Sequence, residues 1–106
     1  DFGYTHVFDR QVEALAKEGD VLIGISTGGS SENVVNALKL SKLLKCNSIG
    51  LSGKDGGQFN SLCKVNIIVN SSNIPRIQEM HILIGHIICD LIEEGLNLKT
   101  FRVKEG

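Results

Sequence analysis

Several features that would point to particular functions are scarce or missing from this sequence. Neither charge sign is in excess: the net charge is −1 and the pI about 6.3. A basic field for nucleic acid or for an anionic membrane surface is therefore excluded, and any phosphate must be held by local geometry. Paired cysteines are missing too. Cys46, Cys63 and Cys89 are odd in number and far apart, with no CxxC, which removes zinc-knuckle and thioredoxin-type motifs. Three reduced thiols in a cytoplasmic protein are expected. Asp1–Asp9 holds no apolar stretch, so no secretory signal is expected there. The most apolar run, Met80–Ile92, is broken by His81, His86 and Asp90 and is too short to span a bilayer. Proline occurs once, and the hydrophobic and charged fractions, 42% and 22%, are ordinary for a soluble globular chain.

Length is also short. A chain of 106 residues makes one domain at most, with little stability to spare. It opens on Asp1 and moves quickly into a helical pattern, so part of a longer protein is expected.

Val7, Val12, Leu15 and Ala16 form a helical stripe that Gly19-Asp20 ends. Val21-Leu22-Ile23-Gly24-Ile25 is continuous and apolar without alternation, the pattern of a parallel strand buried on both faces. Ser26–Ser31 follows and leads into a second helical stripe through Val34, Val35, Leu38 and Leu43-Leu44. Ser48–Ser52 reads as the next strand, Gly53–Gly57 as a turn, and Phe59 and Leu62 as part of a short connection to a third strand, Val65–Val69. Pro75 suits the first turn of a helix running from Arg76 to Glu94. That helix is apolar almost all the way round and is expected to be covered on more than one side. The tail, residues 95–106, has no assignable pattern. The order predicts an α/β fold, an open doubly wound parallel sheet with flanking helices.

The strongest local signal is the segment Ser26-Thr27-Gly28-Gly29-Ser30-Ser31 between a strand and a helix. A helix N-terminus offers unpaired N–H groups and the positive end of the helix dipole. Gly28 and Gly29 let backbone approach an anion, and the serines and Thr27 add hydroxyls. The plainer alternative is a turn in which Ser31 or a neighbour only caps the helix. Neither GxxxxGK[ST] nor GxGxxG is present, so no nucleotide cofactor is expected. The final helix carries Gln78, Glu79, His81 and His86. At ~100° per residue Gln78 and His86 project within about 80° of each other, some ~12 Å apart along the axis, so they meet only across a ligand or metal. Gly85 leaves space beside His86, whose imidazole suits proton transfer near neutral pH. His81 reads as a hydrogen-bonded structural residue, and the Gly53–Gly57 turn, Lys54 included, as structural. Two histidines five apart are not the HExxH pair.

Three separated stretches, Gly19–Thr27, Leu51–Gly57 and Arg76–His81, resemble in order the phosphoheptose isomerases of the SIS (sugar isomerase) family, over most of the chain up to about Glu94. The resemblance implies a single SIS domain across 1–106, flavodoxin-like, lacking its N-terminal helical segment. It further implies a cytoplasmic homotetramer that converts sedoheptulose 7-phosphate to a heptose 7-phosphate for surface polysaccharide precursors. Ser26, Thr27 and Ser31, with Gly28 and Gly29 between them, would hold the substrate phosphate. Gln78 and His86 would serve the reacting end, and in some members these two positions bind zinc with upstream residues. The family's partner glutamate lies on a helix this sequence does not contain. Where the family loop usually reads Ser-Thr-Ser-Gly-Asn-Ser, this chain has Gly28 at the third position, with Ser30 expected to offset the lost hydroxyl. Pro75 stands where many relatives carry a small or polar residue. A second class stays open: a non-catalytic SIS module that binds a replication initiator protein or senses a sugar phosphate. Neither nucleic acid nor a membrane is an expected partner.

Overall fold

The computed structural model describes residues 3–97. A 3-10 turn, Tyr4–His6, leads into α1 (Val7–Leu15), then β1 (Val21–Ile25), α2 (Glu32–Leu43), β2 (Asn47–Gly53), α3 (Phe59–Leu62), β3 (Val65–Val69) and α4 (Ile74–Gly95). The strands form one parallel sheet in the order β1-β2-β3. Val21 stands beside Asn47 and Ile25 beside Leu51, while Ile49 stands beside Val65 and Gly53 beside Val69. The α/β class and the parallel sheet expected from the sequence are both present.

Strand pleating explains where the helices go. Side chains at even and odd positions of β2 point to opposite faces. A Cβ at Gly50 would meet Phe59 and Cys63, whereas one at Gly53 would meet Ile77. α3 and α4 therefore cover opposite faces of the sheet. α2 shares the α3 face, since Gly24 lies against Val34 and Leu38. The core on that side is Val35, Leu38 and Phe59, with Leu22, Val34, Leu62 and Cys63 packed round it. α1 lies along α2 and buries Val12.

α4 begins where its cap chemistry says it should. Asn73 accepts from the N–H of Arg76, and Pro75 lies in the first turn, where its missing N–H costs no hydrogen bond.

Three expectations change. β1 is not buried on both faces: Val21, Ile23 and Ile25 are exposed at 57%, 39% and 54%. It is an edge strand, and α4 packs on β2 and β3 instead. α4 is likewise less covered than its composition predicts. Its buried residues are Ile77 and His81, while Ile82, Leu83, Ile87 and Leu91 are exposed. The connection through Phe59 and Leu62 forms a helical turn, with Phe59 fully buried. Of the unassigned tail, Gly95 closes α4 and Leu96-Asn97 form a turn; residues 98–106 lie outside the described residues.

Candidate functional site

The loop Ser26–Ser31 leaves the C-terminal end of β1 and enters α2, the place where open α/β sheets bind ligands. Ser26 is buried, and its N–H donates to the carbonyl of Leu51 at 3.0 Å, so the loop starts from a point pinned to β2. Ser31 occupies the N-cap position of α2, yet its side chain makes no capping bond. Its hydroxyl instead pairs with that of Ser26, Oγ to Oγ 2.7 Å. Capping of the helix by Ser31, the plainer reading of this loop, is thus not what its hydroxyl does. The pair holds two hydroxyls side by side at a helix N-terminus, where the dipole favours an anion.

A cavity of about 680 Å³ opens in front of this loop, lined by Ile25, Ser26, Thr27, Ser31, Gln78, His81, Ile82, Gly85 and His86. Residues from the loop and from α4, distant in the chain, thus share one space. Gly85 lines it, and a Cβ there would meet nothing within 4 Å, in keeping with the room expected beside His86. Gln78 and His86 are exposed and His81 is buried at 4%. His81 Nε2 lies 2.8 Å from the carbonyl oxygen of Ser52. A carbonyl only accepts, so Nε2 carries the hydrogen. Nδ1 is buried without a partner among the described residues.

Gly28 and Gly29 do not line the cavity. They face the second glycine-rich turn. Gly29 has φ +70°, and a Cβ there would collide with the carbonyl of Gly56 and press on Ser52 Cβ at 3.2 Å. Its N–H donates to Ser26 O at 3.1 Å and its carbonyl accepts from Phe59 N at 3.0 Å. Gly29 is therefore required by close packing of two loops, not by approach of an anion. Gly28 has open space where a Cβ would be. Ser30, expected to replace the hydroxyl missing at Gly28, accepts from the N–H of Gln58 at 3.0 Å and does not line the cavity. The Gly53–Gly57 turn is a buttress, held by Asn60 Nδ2 donating to Asp55 O and Asn66 Nδ2 donating to Asn60 Oδ1, each at 2.8 Å. Lys54 is exposed and absent from the cavity wall.

Zinc is tested against the same residues. Structural and catalytic zinc sites take three or four protein ligands. Among the described residues no group of three or more His, Cys, Asp and Glu is placed to hold a metal, and the Nε2 of His81 is engaged by Ser52. Gln78 and His86 would be two ligands of an incomplete set.

Sequence reasoning read His81 as hydrogen-bonded and structural, and the bond to Ser52 is there. It did not foresee that His81 would stand in the wall of the cavity, nor that the Ser52-Gly53 end of β2 would touch both walls. A Cβ at Gly53 would meet Ile77 of α4 at 2.6 Å and the carbonyl oxygen of Thr27 at 2.8 Å. No local pattern signals such a contact.

A family model described as SIS domain matches residues 1–84. Curated relatives bearing the name phosphoheptose isomerase include one from Aliarcobacter butzleri, 60% identical over 97 residues and covering 92% of this chain and 51% of the relative. Another, from Nitratiruptor sp., is 61% identical over 95 residues, covering 90% and 51%. The phosphoheptose isomerase of Neisseria gonorrhoeae has a solved structure that superposes with a TM-score of 0.85 at 44% identity, covering 89% of this chain and 53% of that one. That of Francisella tularensis gives 0.83 at 38%, covering 88% and 50%. The chain spans about half the length of the relatives it matches.

Proposed function

We propose, on the premise that this chain belongs to the SIS domain family, that it forms the phosphate-binding half of a sugar-phosphate isomerase site. The ligand phosphate lies against Ser26, Thr27, Ser31 and the N-terminus of α2, and the carbonyl end of the sugar lies between Gln78 and His86. The substrate is sedoheptulose 7-phosphate and the product D-glycero-D-manno-heptose 7-phosphate. The single observation that carries this reading is the shared cavity, with hydroxyls and a helix N-terminus on one wall and an amide and an imidazole on the other.

The chemistry needs two proton transfers and no redox partner. A base takes a proton from C1 of the open-chain ketose while the C2 oxygen gains one, giving an enediol. The C1 hydroxyl then loses its proton as C2 gains one, leaving an aldehyde at C1. His86 is exposed to the cavity and carries one of these transfers, a role for which imidazole is suited near neutral pH. Gln78 donates and accepts hydrogen bonds at the enediol oxygens. The second proton-transfer group comes from the part of the relatives' length that this chain does not cover. Zinc would take Gln78 and His86 together with ligands from that same part, and no step above depends on it.

The exposed apolar side chains of α4 support a homo-oligomer; the tetramer, the cytoplasm and a role in making surface polysaccharide precursors are what the family resemblance implies. Among the described residues no helix is long and apolar enough to cross a membrane.

The test is proton NMR of sedoheptulose 7-phosphate in deuterated buffer with the complete protein that carries this chain. Deuterium incorporation next to the carbonyl, with aldose signals, is expected for the wild type. His86→Ala should slow turnover by about 10²–10⁴-fold, the usual worth of a positioned acid–base group. Unchanged turnover in that variant would remove His86 from the mechanism, and no exchange with the wild type would remove the isomerase itself.

A further inference from the structure

α4 carries Gln78 and His86, yet it buries only Ile77 and His81 against the rest of the described chain. Both contacts land on consecutive residues of β2. Ile77 rests on Gly53, which leaves no room for a side chain between helix and strand, and His81 Nε2–H donates to the carbonyl of Ser52 at 2.8 Å. The same two residues of β2 touch the loop that carries the opposite wall of the cavity. Gly53 lies beside the carbonyl of Thr27, and Ser52 Cβ lies beside Gly29. Leu51, the residue before them, accepts from the N–H of Ser26. One end of one strand thus sets where both walls stand.

We propose that His81 is a positioning residue. Its bond to Ser52 sets the distance of α4 from the Ser26–Ser31 loop, so that Gln78 and His86 reach the far end of a ligand whose phosphate sits at that loop. The proposal rests on the reading of the cavity given above. An apolar side chain of similar size would pack at this position without leaving a buried nitrogen unpaired, as Nδ1 is left here. What imidazole adds is one directional bond. Apolar packing resists separation of helix and strand but tolerates sliding along them, because dispersion contacts are numerous and undirected. A hydrogen bond to a fixed carbonyl prefers angles above about 150° and weakens steeply below about 120°, so it limits rotation and sliding of α4 as well as distance.

Side-chain length gives the test. The amide nitrogen of glutamine falls near the position of Nε2 and still reaches Ser52, whereas that of asparagine falls near Nδ1 and does not. His81→Gln, His81→Asn and His81→Leu are made in the complete protein. Calorimetry measures binding of inorganic phosphate, which needs only the loop, and of a heptitol 7-phosphate, which spans both walls and has no carbonyl to react. The positioning role predicts that Asn and Leu weaken the heptitol phosphate about tenfold, the worth of a hydrogen bond or two, while inorganic phosphate is held as before. Glutamine restores the heptitol phosphate. For turnover, kcat falls about 100-fold in Asn and Leu, as expected when reacting groups shift by about 1 Å, with KM changing far less.

If glutamine is as poor as asparagine, or if leucine keeps the heptitol phosphate affinity, the proposal is overturned. A lower melting temperature with both affinities unchanged also overturns it, since His81 is then a packing residue only. A wild type that binds the heptitol phosphate but turns nothing over defeats the isomerase reading and leaves the binding ratio to decide the role of His81. A wild type that binds neither phosphate defeats the cavity reading and this inference with it.

Discussion

Gly28 and Gly29 are adjacent, identical in chemistry and opposite in what the fold asks of them, so replacing each by alanine separates packing from flexibility. Gly28 has open space around the position a Cβ would take and is not among the residues of positive φ. Gly28→Ala should be neutral or stabilising by about 0.4–1 kcal/mol, because alanine narrows the unfolded ensemble where the native backbone accepts it. Gly29 has φ +70°, and its Cβ would run into the backbone carbonyl of Gly56. The left-handed backbone alone costs about 1–2 kcal/mol for a residue with a Cβ. Forcing an atom against a backbone carbonyl adds about 1–3 kcal/mol, the usual cost of overpacking. The sum for Gly29→Ala is a loss of roughly 2–5 kcal/mol. Relief requires the two loops to part, which strains the bonds from Phe59 N to Gly29 O and from Gln58 N to Ser30 Oγ, both 3.0 Å. Urea unfolding of the complete protein and its two variants, read with a common slope, gives both differences directly. Equal effects at the two positions, or a cost below about 0.5 kcal/mol at Gly29, within the range of ordinary surface substitutions, would show that the loops do not interlock as described.

Gly28→Ser should leave inorganic phosphate binding unchanged, because position 28 does not line the cavity; calorimetry showing about tenfold tighter binding, the worth of one added hydroxyl donor, would place position 28 at the anion. Phe59→Ala should lower stability by about 3–5 kcal/mol, because Phe59 is fully buried between α2 and β2; a loss near zero in urea unfolding would remove it from the core. The thiols should alkylate in order of access. Burial raises the pKa of Cys63, a rise partly offset by its hydrogen bond with Ser48, while Cys89 is exposed. At neutral pH Cys63 therefore holds less thiolate and should react with iodoacetamide after Cys89, since the thiolate is the nucleophile. Mass mapping of a partial reaction that finds Cys63 labelled first would contradict the packing round α3.

What the chain itself made legible depends on how local each cause is. Val21–Ile25, Ser48–Ser52 and Val65–Val69 read as strands from short-range cues, a continuous apolar run in the first, a turn-bounded Ile-Gly-Leu core in the second and a mainly apolar run in the third, and each lies in an observed strand. Pro75 and the preceding polar stretch marked the start of α4 for the same reason. The exposure of Ile23 and Ile25 was not legible, because a run of apolar residues records what a strand can be buried against and not whether the cover lies among the described residues. The exposed stripe Ile82, Leu83, Ile87 and Leu91 on α4 follows the same logic. In the site, the loop and the pair Gln78 and His86 were found by residue type and helical angle, and they do share a cavity. The reason for Gly29 was missed. Glycine after a strand looks the same whether a ligand or another loop comes close, and only tertiary structure distinguishes Gly56 from an anion. The contact of Ser30 was not legible either, since its partner Gln58 lies in a turn whose approach to the loop no local pattern announces.

On the proposed reading the phosphate meets hydroxyls and backbone N–H groups of Ser26, Thr27 and Ser31 in the cavity wall, and those donors decide how this loop holds it. Point charges grip an anion from many directions, and a shift of an ångström changes their attraction only gradually. Hydroxyls and backbone N–H groups are different, because a hydrogen bond is lost within a few tenths of an ångström and some tens of degrees. A neutral grip of this kind therefore depends on how accurately the loop is placed. The fold places it with backbone: Ser26 N on Leu51 O, Gly29 O under Phe59 N, and Gly53 set against the carbonyl of Thr27. Glycine at 29 and 53 follows from that arrangement, since only residues without side chains let a loop, a turn and a helix converge on one strand end. The same convergence ties α4 to the loop through Ile77 and His81. Binding and positioning thus draw on one structural element, and a change at Ser52 or Gly53 should damage both together, whereas a change at Thr27 or His86 should damage one.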